Sequence, residues 1–149
     1  TCSNPKPNSC AFYDDCLEDE CQCGADGYPI GYGLHYCEEF TDAKSQMSDA
    51  GKDWVAETML CLQNELVPWA TGSRTGSCTQ LKEYAFGTHP ECYVNSGLCT
   101  LPPTDWIVVV QTVGLQELFG SWGALKASLQ AAQGCGKFLA FLVERSIVE

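Results

Sequence analysis

The sequence predicts an all-α fold, a single disulfide-rich helical domain with an irregular, cysteine-rich N-terminal segment. Three observations predict it. Eleven cysteines stand in 149 residues. Apolar residues recur at helical spacing through the middle and end of the chain. Prolines and glycines crowd the start, where long regular structure has little room.

A cytosolic chain would keep so many thiols reduced, and metal or redox chemistry would then have to explain them. Zinc spacing is missing. There is no Cys-x-x-Cys, the only close pair is Cys21 and Cys23, and the two histidines, His35 and His89, lie far apart. A disulfide framework in a secreted protein follows. A start at Thr1, without methionine, basic n-region or apolar h-region, fits a chain whose signal peptide has been removed.

The length suits one domain, residues 1–149, which reads in three parts: 1–36, 37–100 and 101–149. Hydrophobic residues make up 45%, so crosslinks supplement a real core and do not replace it. The net charge of −11 excludes nucleic acid as a partner, because eight basic residues against nineteen acidic ones cannot cover a phosphate track. It also disfavours anionic membrane surfaces.

Residues 1–36 are the irregular segment, with one short helix expected over Ala11 to Glu20. Within 37–100 the pattern turns helical from Phe40. Val55, Met59, Leu62 and Leu66 form one stripe, flanked by Trp54 and Cys61. Ser48 or Asp49 can cap its start, and Pro68 limits its end. Cys78, Leu81 and Ala85 repeat the spacing up to Gly87, and Pro90 suits the first position of a further helix leading into Cys92. The two stretches make a helical hairpin that a disulfide could clamp.

In residues 101–149, Thr104 follows Pro102 and Pro103 as a cap for a helix whose apolar face is Trp106, Val109, Val110 and Val113. Ile107 to Val110 taken alone also suits a strand. Ser121 opens another helix, with Trp122, Leu125 and Leu129 inward. The run Phe138 to Val143 is apolar almost all round but far short of the ~20 residues of a membrane span. It belongs to the core or to a partner-facing surface, burial being the simpler expectation.

Order, spacing and neighbours then carry a family resemblance. The segments that carry it are Cys16-Leu17-Glu18, Asp26-Gly27, Cys37 followed by Phe40, Ala43-Lys44, Gly51-Lys52-x-x-Val55-x-Glu57-x-x-x-Cys61, Glu91-Cys92-Tyr93 and Cys99. The chain resembles the stanniocalcins, secreted, disulfide-rich helical hormones, and its start is also similar to that of secreted fungal proteins. The resemblance implies bridges from Cys2 to Cys16, Cys10 to Cys37, Cys61 to Cys92 and Cys99 to Cys135. It pairs Cys78 with Cys21 or Cys23, and the eleventh cysteine, Cys21 if Cys23 is the partner, is then a free or intermolecular thiol. Two features depart from the family pattern. No cysteine after Cys135 supplies the family's covalent dimer link, so a homodimer would have to use the leftover thiol. No Asn-x-Ser/Thr acceptor exists either.

Enzymatic chemistry finds no support. Tyr32 to Cys37 and His89 to Tyr93 faintly resemble secreted phospholipases A2, which need a His-Asp pair beside calcium, but Pro90 stands where the aspartate belongs. No Gly-x-Ser-x-Gly is present, and Glu57 has no evident carboxylate partner. No catalytic residue and no cofactor is expected. The acidic runs Asp14, Asp15, Glu18, Asp19, Glu20 and Glu38, Glu39, Asp42 read as solvated faces, with calcium the ligand they would take if either were a site.

The resemblance implies an extracellular ligand acting through protein–protein contact on a protease or receptor, since stanniocalcins regulate mineral balance and inhibit pappalysin metalloproteases. Two other functions fit the same scaffold: a secreted effector or defence protein, and a lipid carrier with a cavity between the stripes Trp54 to Leu66 and Trp106 to Phe119.

Overall fold

The computed structural model describes residues 1–115 and 119–145, and among them every regular element is helical. Ala11 and Phe12 open a helical stretch that widens into a π-helix over Tyr13–Glu18 and closes as α1 (Asp19–Cys21). A second π-helical stretch, Tyr28–Leu34, runs without a break into α2 (His35–Ala43). Sequence alone gave this second stretch no helix, because proline and glycine dominate it. Pro29 sits in its first turn, where a missing N–H is tolerated. Gly33 allows the two π-helices to touch: a Cβ there would stand 2.4 Å from the Tyr13 ring.

Helix α3 (Asp49–Glu65) begins at Ser48, whose hydroxyl accepts the Gly51 N–H at 3.1 Å. It buries Trp54, Val55, Met59 and Leu62, and Leu66 follows as its C-cap. Pro68 then falls in the first turn of α4 (Val67–Ala70), so the chain bends there and restarts. An exposed loop leads to α5 (Cys78–Asn95), which opens with a capping box between Ser77 and Gln80.

The break expected at Gly87 and the restart at Pro90 do not occur, because α5 runs through both. A proline inside a helix costs about 3 kcal/mol relative to alanine. The residues buried on either side of it, Leu81 and Ala85 before, His89, Cys92 and Tyr93 around and after, offset that cost.

The path of α5 is not a simple return along α3. In an antiparallel hairpin Cys61, late in α3, would face the beginning of α5. Its bridge instead goes to Cys92, near the far end. Trp54, about 10 Å back along α3 at 1.5 Å per residue, also reaches this point, donating its indole N–H to the Tyr93 carbonyl at 3.0 Å. Two positions so far apart on α3 meet adjacent residues of α5, so the helices cross. The start of α5 is thereby free to reach the N-terminal segment.

Helix α6 (Pro103–Thr112) has Pro102 as its N-cap and no side-chain cap. Thr104 lies inside the first turn, because Pro103 takes the first helical position for which its fixed φ is suited. Ile107 to Val110 is helical, with Trp106, Val108 and Val109 buried, and Val113 follows in extended backbone. Ser121 caps α7 (Trp122–Ala131) by accepting the Ala124 N–H at 3.0 Å, and Leu125 and Leu129 point inward. Helix α8 (Gly136–Glu144) buries Phe138, Phe141 and Leu142, with both phenyl rings against Trp106 at 5.1 and 5.3 Å. Its Val143 is 51% exposed. Buried residues from Phe12 to Leu142 form one continuous core.

Asp105 ties the two halves of this core. It is 1% exposed, and its carboxylate accepts both the backbone N–H of Ser48, at 2.9 Å, and the Ser48 hydroxyl. Asp105→Ala leaves the half-buried Ser48 N–H and hydroxyl without their acceptor, and a loss of about 1–3 kcal/mol is expected in urea unfolding. Gly51→Ala should also destabilise despite its better helix propensity, since the new Cβ would lie 2.6 Å from the Asp105 carboxylate. Wild-type midpoints for both variants would show that the tie contributes nothing.

Candidate functional site

Five bridges staple the fold: Cys2–Cys16, Cys10–Cys37, Cys23–Cys78, Cys61–Cys92 and Cys99–Cys135. Their Cα separations run from 4.9 to 5.9 Å, within the span a bridge needs. Cys23–Cys78 fastens the N-terminal segment to the first residue of α5, and Cys99–Cys135 fastens the chain after α5 to the start of α8. The sequence left Cys21 and Cys23 as alternatives for Cys78. Here Cys23 takes the bridge and Cys21 is a partly buried thiol.

Cys21 closes α1 and points at α4, where its thiol donates a long hydrogen bond to the Trp69 carbonyl at 3.8 Å. Burial pushes its pKa up, and the Glu20 and Glu18 carboxylates push it further. Thiols react as thiolates. The thiol should therefore be alkylated more slowly near neutral pH than a free model thiol, with a rate that rises with pH. Glu20→Gln removes one of the two charges and should speed alkylation about two- to fivefold, the size of one weakly screened charge interaction. A rate unchanged by Glu20→Gln would show that the Glu20 carboxylate has no part in setting the reactivity.

Both histidines are structural in their surroundings. His35 is exposed, with its ring edge-on to Tyr36 at 4.8 Å. His89 is 2% exposed and shares a hydrogen bond with the Tyr28 hydroxyl, the heavy atoms 3.3 Å apart. Around it stand Phe86 at 5.0 Å, Tyr28 and Tyr93, an aromatic box into which Tyr13, Tyr32 and Tyr36 also project. The box leaves about 20 Å³, room for about one water and none for a substrate. Burial, before any neighbouring charge, pushes the hydroxyls of Tyr13, Tyr28 and Tyr93 up, so they stay protonated. His89 is closed inside this box, whereas His35 lines an open surface depression with Glu38, Glu39 and Asp42.

The acidic runs lie mostly at the surface. Asp14, Asp15, Asp19 and Glu20 are exposed, as are Glu38, Glu39 and Asp42. Glu18 is occupied, accepting the N–H groups of Cys23 and Gly24 at 3.2 and 2.8 Å. Among the described residues no three His, Cys, Asp or Glu side chains converge as metal ligands. Nor is any described helix long and apolar enough to cross a membrane.

The two apolar stripes meet side chains, not space. Trp54 packs edge-on against Phe40 and Tyr93, and Trp106 packs at a tilt against Phe138 and Phe141. The part of the second stripe at 116–118 lies outside the described residues. Three buried polar residues went unremarked in the sequence: Asp105, described above, Thr58 and Gln63. The Gln63 amide donates to the Ser9 carbonyl at 2.8 Å and holds the N-terminal segment on α3. The available signal was a polar residue beside an apolar helical stripe, at Gln63 next to Leu62 and at Asp105 next to Trp106.

Compared with known proteins, residues 3–149 match the family model described as the Stanniocalcin family. No curated protein and no solved structure matches the chain.

Proposed function

The chain belongs to the stanniocalcin family, a hormone-like, secreted and non-enzymatic family, and from that premise we propose that it works outside the cell as a protein ligand that regulates a protease. The observation that carries this reading is the match over residues 3–149 to a family whose members act by binding. The chemistry of the chain supports it. Ten cysteines are committed to bridges suited to an oxidising compartment, and the histidines are placed as packing and surface groups. The staples hold the helical surface rigid before contact, which lowers the ordering cost of binding.

The protein acts as a monomer in this reading. Cys21 is partly buried beside Glu18 and Glu20, and two copies joined through it would press these carboxylates together. The test is direct: purified protein is mixed with a pappalysin metalloprotease and its substrate. A stable complex by size exclusion, with slowed cleavage, is the expected result. Neither complex nor inhibition would remove the protease-regulator reading, and a reducible dimer on a nonreducing gel would remove the monomer.

A further inference from the structure

We propose that Cys21 is a built-in exchange partner for the Cys23–Cys78 bridge, so that the N-terminal segment has two covalent forms, one joined to α5 through Cys23 and one through Cys21. The first support is proximity. The two bridging sulfurs, of Cys23 and Cys78, lie 3.7 and 3.9 Å from the carbonyl oxygen of Cys21. A carbonyl oxygen stands about 2.4 Å from its own Cα, which places the Cys21 Cα within roughly 6.3 Å of the Cys78 sulfur. In a formed bridge that distance is about 4 to 4.5 Å, so a local shift of about 2 Å suffices.

The backbone around the three cysteines can supply that shift. Gln22, between Cys21 and Cys23, has φ of 52°, a left-handed conformation that non-glycine residues rarely hold. Gly24 follows with φ of 84° and open space where a side chain would stand. Cys78 is the first residue of α5. The negative charge spread over three sulfurs during exchange thus develops at a helix N-terminus, where the helix dipole favours it.

The step balances without any further reagent. Cys21 loses its proton to solvent, and its thiolate attacks the Cys78 sulfur. The Cys21–Cys78 bond forms as the Cys23–Cys78 bond breaks, and Cys23 leaves as a thiolate that takes up a proton. Nothing is oxidised or reduced overall. In the form seen here the Glu18 carboxylate holds the Cys23 and Gly24 N–H groups, keeping Cys23 in place. The charged groups that act on the thiol are Glu20 and Glu18 on its own turn. Exchange moves the attachment point by two residues and frees the turn that leads into the second π-helix.

Disulfide mapping tests this on the full chain. Folded protein is held without reductant at about pH 8.5, close to the ordinary thiol pKa, quenched in acid at intervals, alkylated in denaturant and digested. The label is expected on Cys21 at first and then increasingly on Cys23, together with a Cys21–Cys78 peptide pair, at a rate independent of protein concentration. Cys23→Ser should fold with Cys21 bridged to Cys78 and no titratable thiol. Label confined to Cys21 throughout, label on Cys78, or a rate that rises with concentration would overturn the proposal. So would folded Cys23→Ser with two free thiols. If Cys23→Ser does not fold, the wild-type time course decides alone.

Discussion

Replacing Cys61 and Cys92 together by alanine is expected to cost about 3.7 kcal/mol, the loop-closure entropy of a crosslink spanning 31 residues. For a chain of this size the thermal midpoint should fall by roughly 7 to 15 °C. The double variant is the right probe, because a single replacement would leave the Cys92 thiol buried at the crossing. The matched control is Cys2 with Cys16, whose 14-residue loop gives about 3.0 kcal/mol by the same argument. The entropic term separates the two pairs by little. The extra loss at Cys61 and Cys92 should come from packing where α3 and α5 cross. Differential scanning calorimetry of both double variants checks the order. Equal losses, or a larger loss at Cys2 and Cys16, would mean that the crossing is held by side chains alone.

The helical class was legible because local signals agreed with the fold. Ser48, Ser77 and Ser121 cap the helices they precede, and the stripe from Val55 to Leu66 is buried as its spacing implies. What was not legible follows from competition between local and tertiary terms. Pro90 is a helix breaker by its own chemistry, but Leu81 and Ala85 on one side and Cys92 and Tyr93 on the other are all buried, so the core keeps the helix whole. The second π-helical stretch has the opposite cause. No periodicity announces it, and it depends on one missing Cβ, at Gly33, whose need appears only when Tyr13 is placed against it.

At the candidate site the limits are similar. A carbonyl shared by two bridging sulfurs is a fact of three dimensions, and the Cys21-x-Cys23 spacing could only pose the choice of partner. Asp105 belongs to the same class. Its neighbours in sequence, Thr104 and Trp106, say nothing of Ser48, which lies 57 residues away and whose helix it anchors. The acidic runs were easy to read as solvated faces because exposed charge needs no partner to be stable.

The largest single-residue loss should come at Trp54. Its side chain is 1% exposed, its ring lies edge-on to Phe40 at 5.7 Å and to Tyr93 at 5.4 Å, and its indole N–H donates to the Tyr93 carbonyl. Trp54→Ala removes the ring and leaves a cavity where α3 meets α5, for an expected loss of about 3 to 5 kcal/mol. Trp54→Phe keeps an aromatic ring against the same neighbours and removes the indole N–H, so about 1 to 2 kcal/mol is expected from the hydrogen bond and the smaller ring. The informative measurement joins this site to the first. Trp54 contacts Tyr93, and Cys61 bridges to Cys92, so both secure the same stretch of α5. Trp54→Ala combined with loss of the Cys61–Cys92 bridge should cost less than the two changes added, with a coupling of about 0.5 to 3 kcal/mol in urea unfolding. Strict additivity would mean that ring and bridge stabilise separate parts of the protein, and the crossing would then not be one cooperative unit.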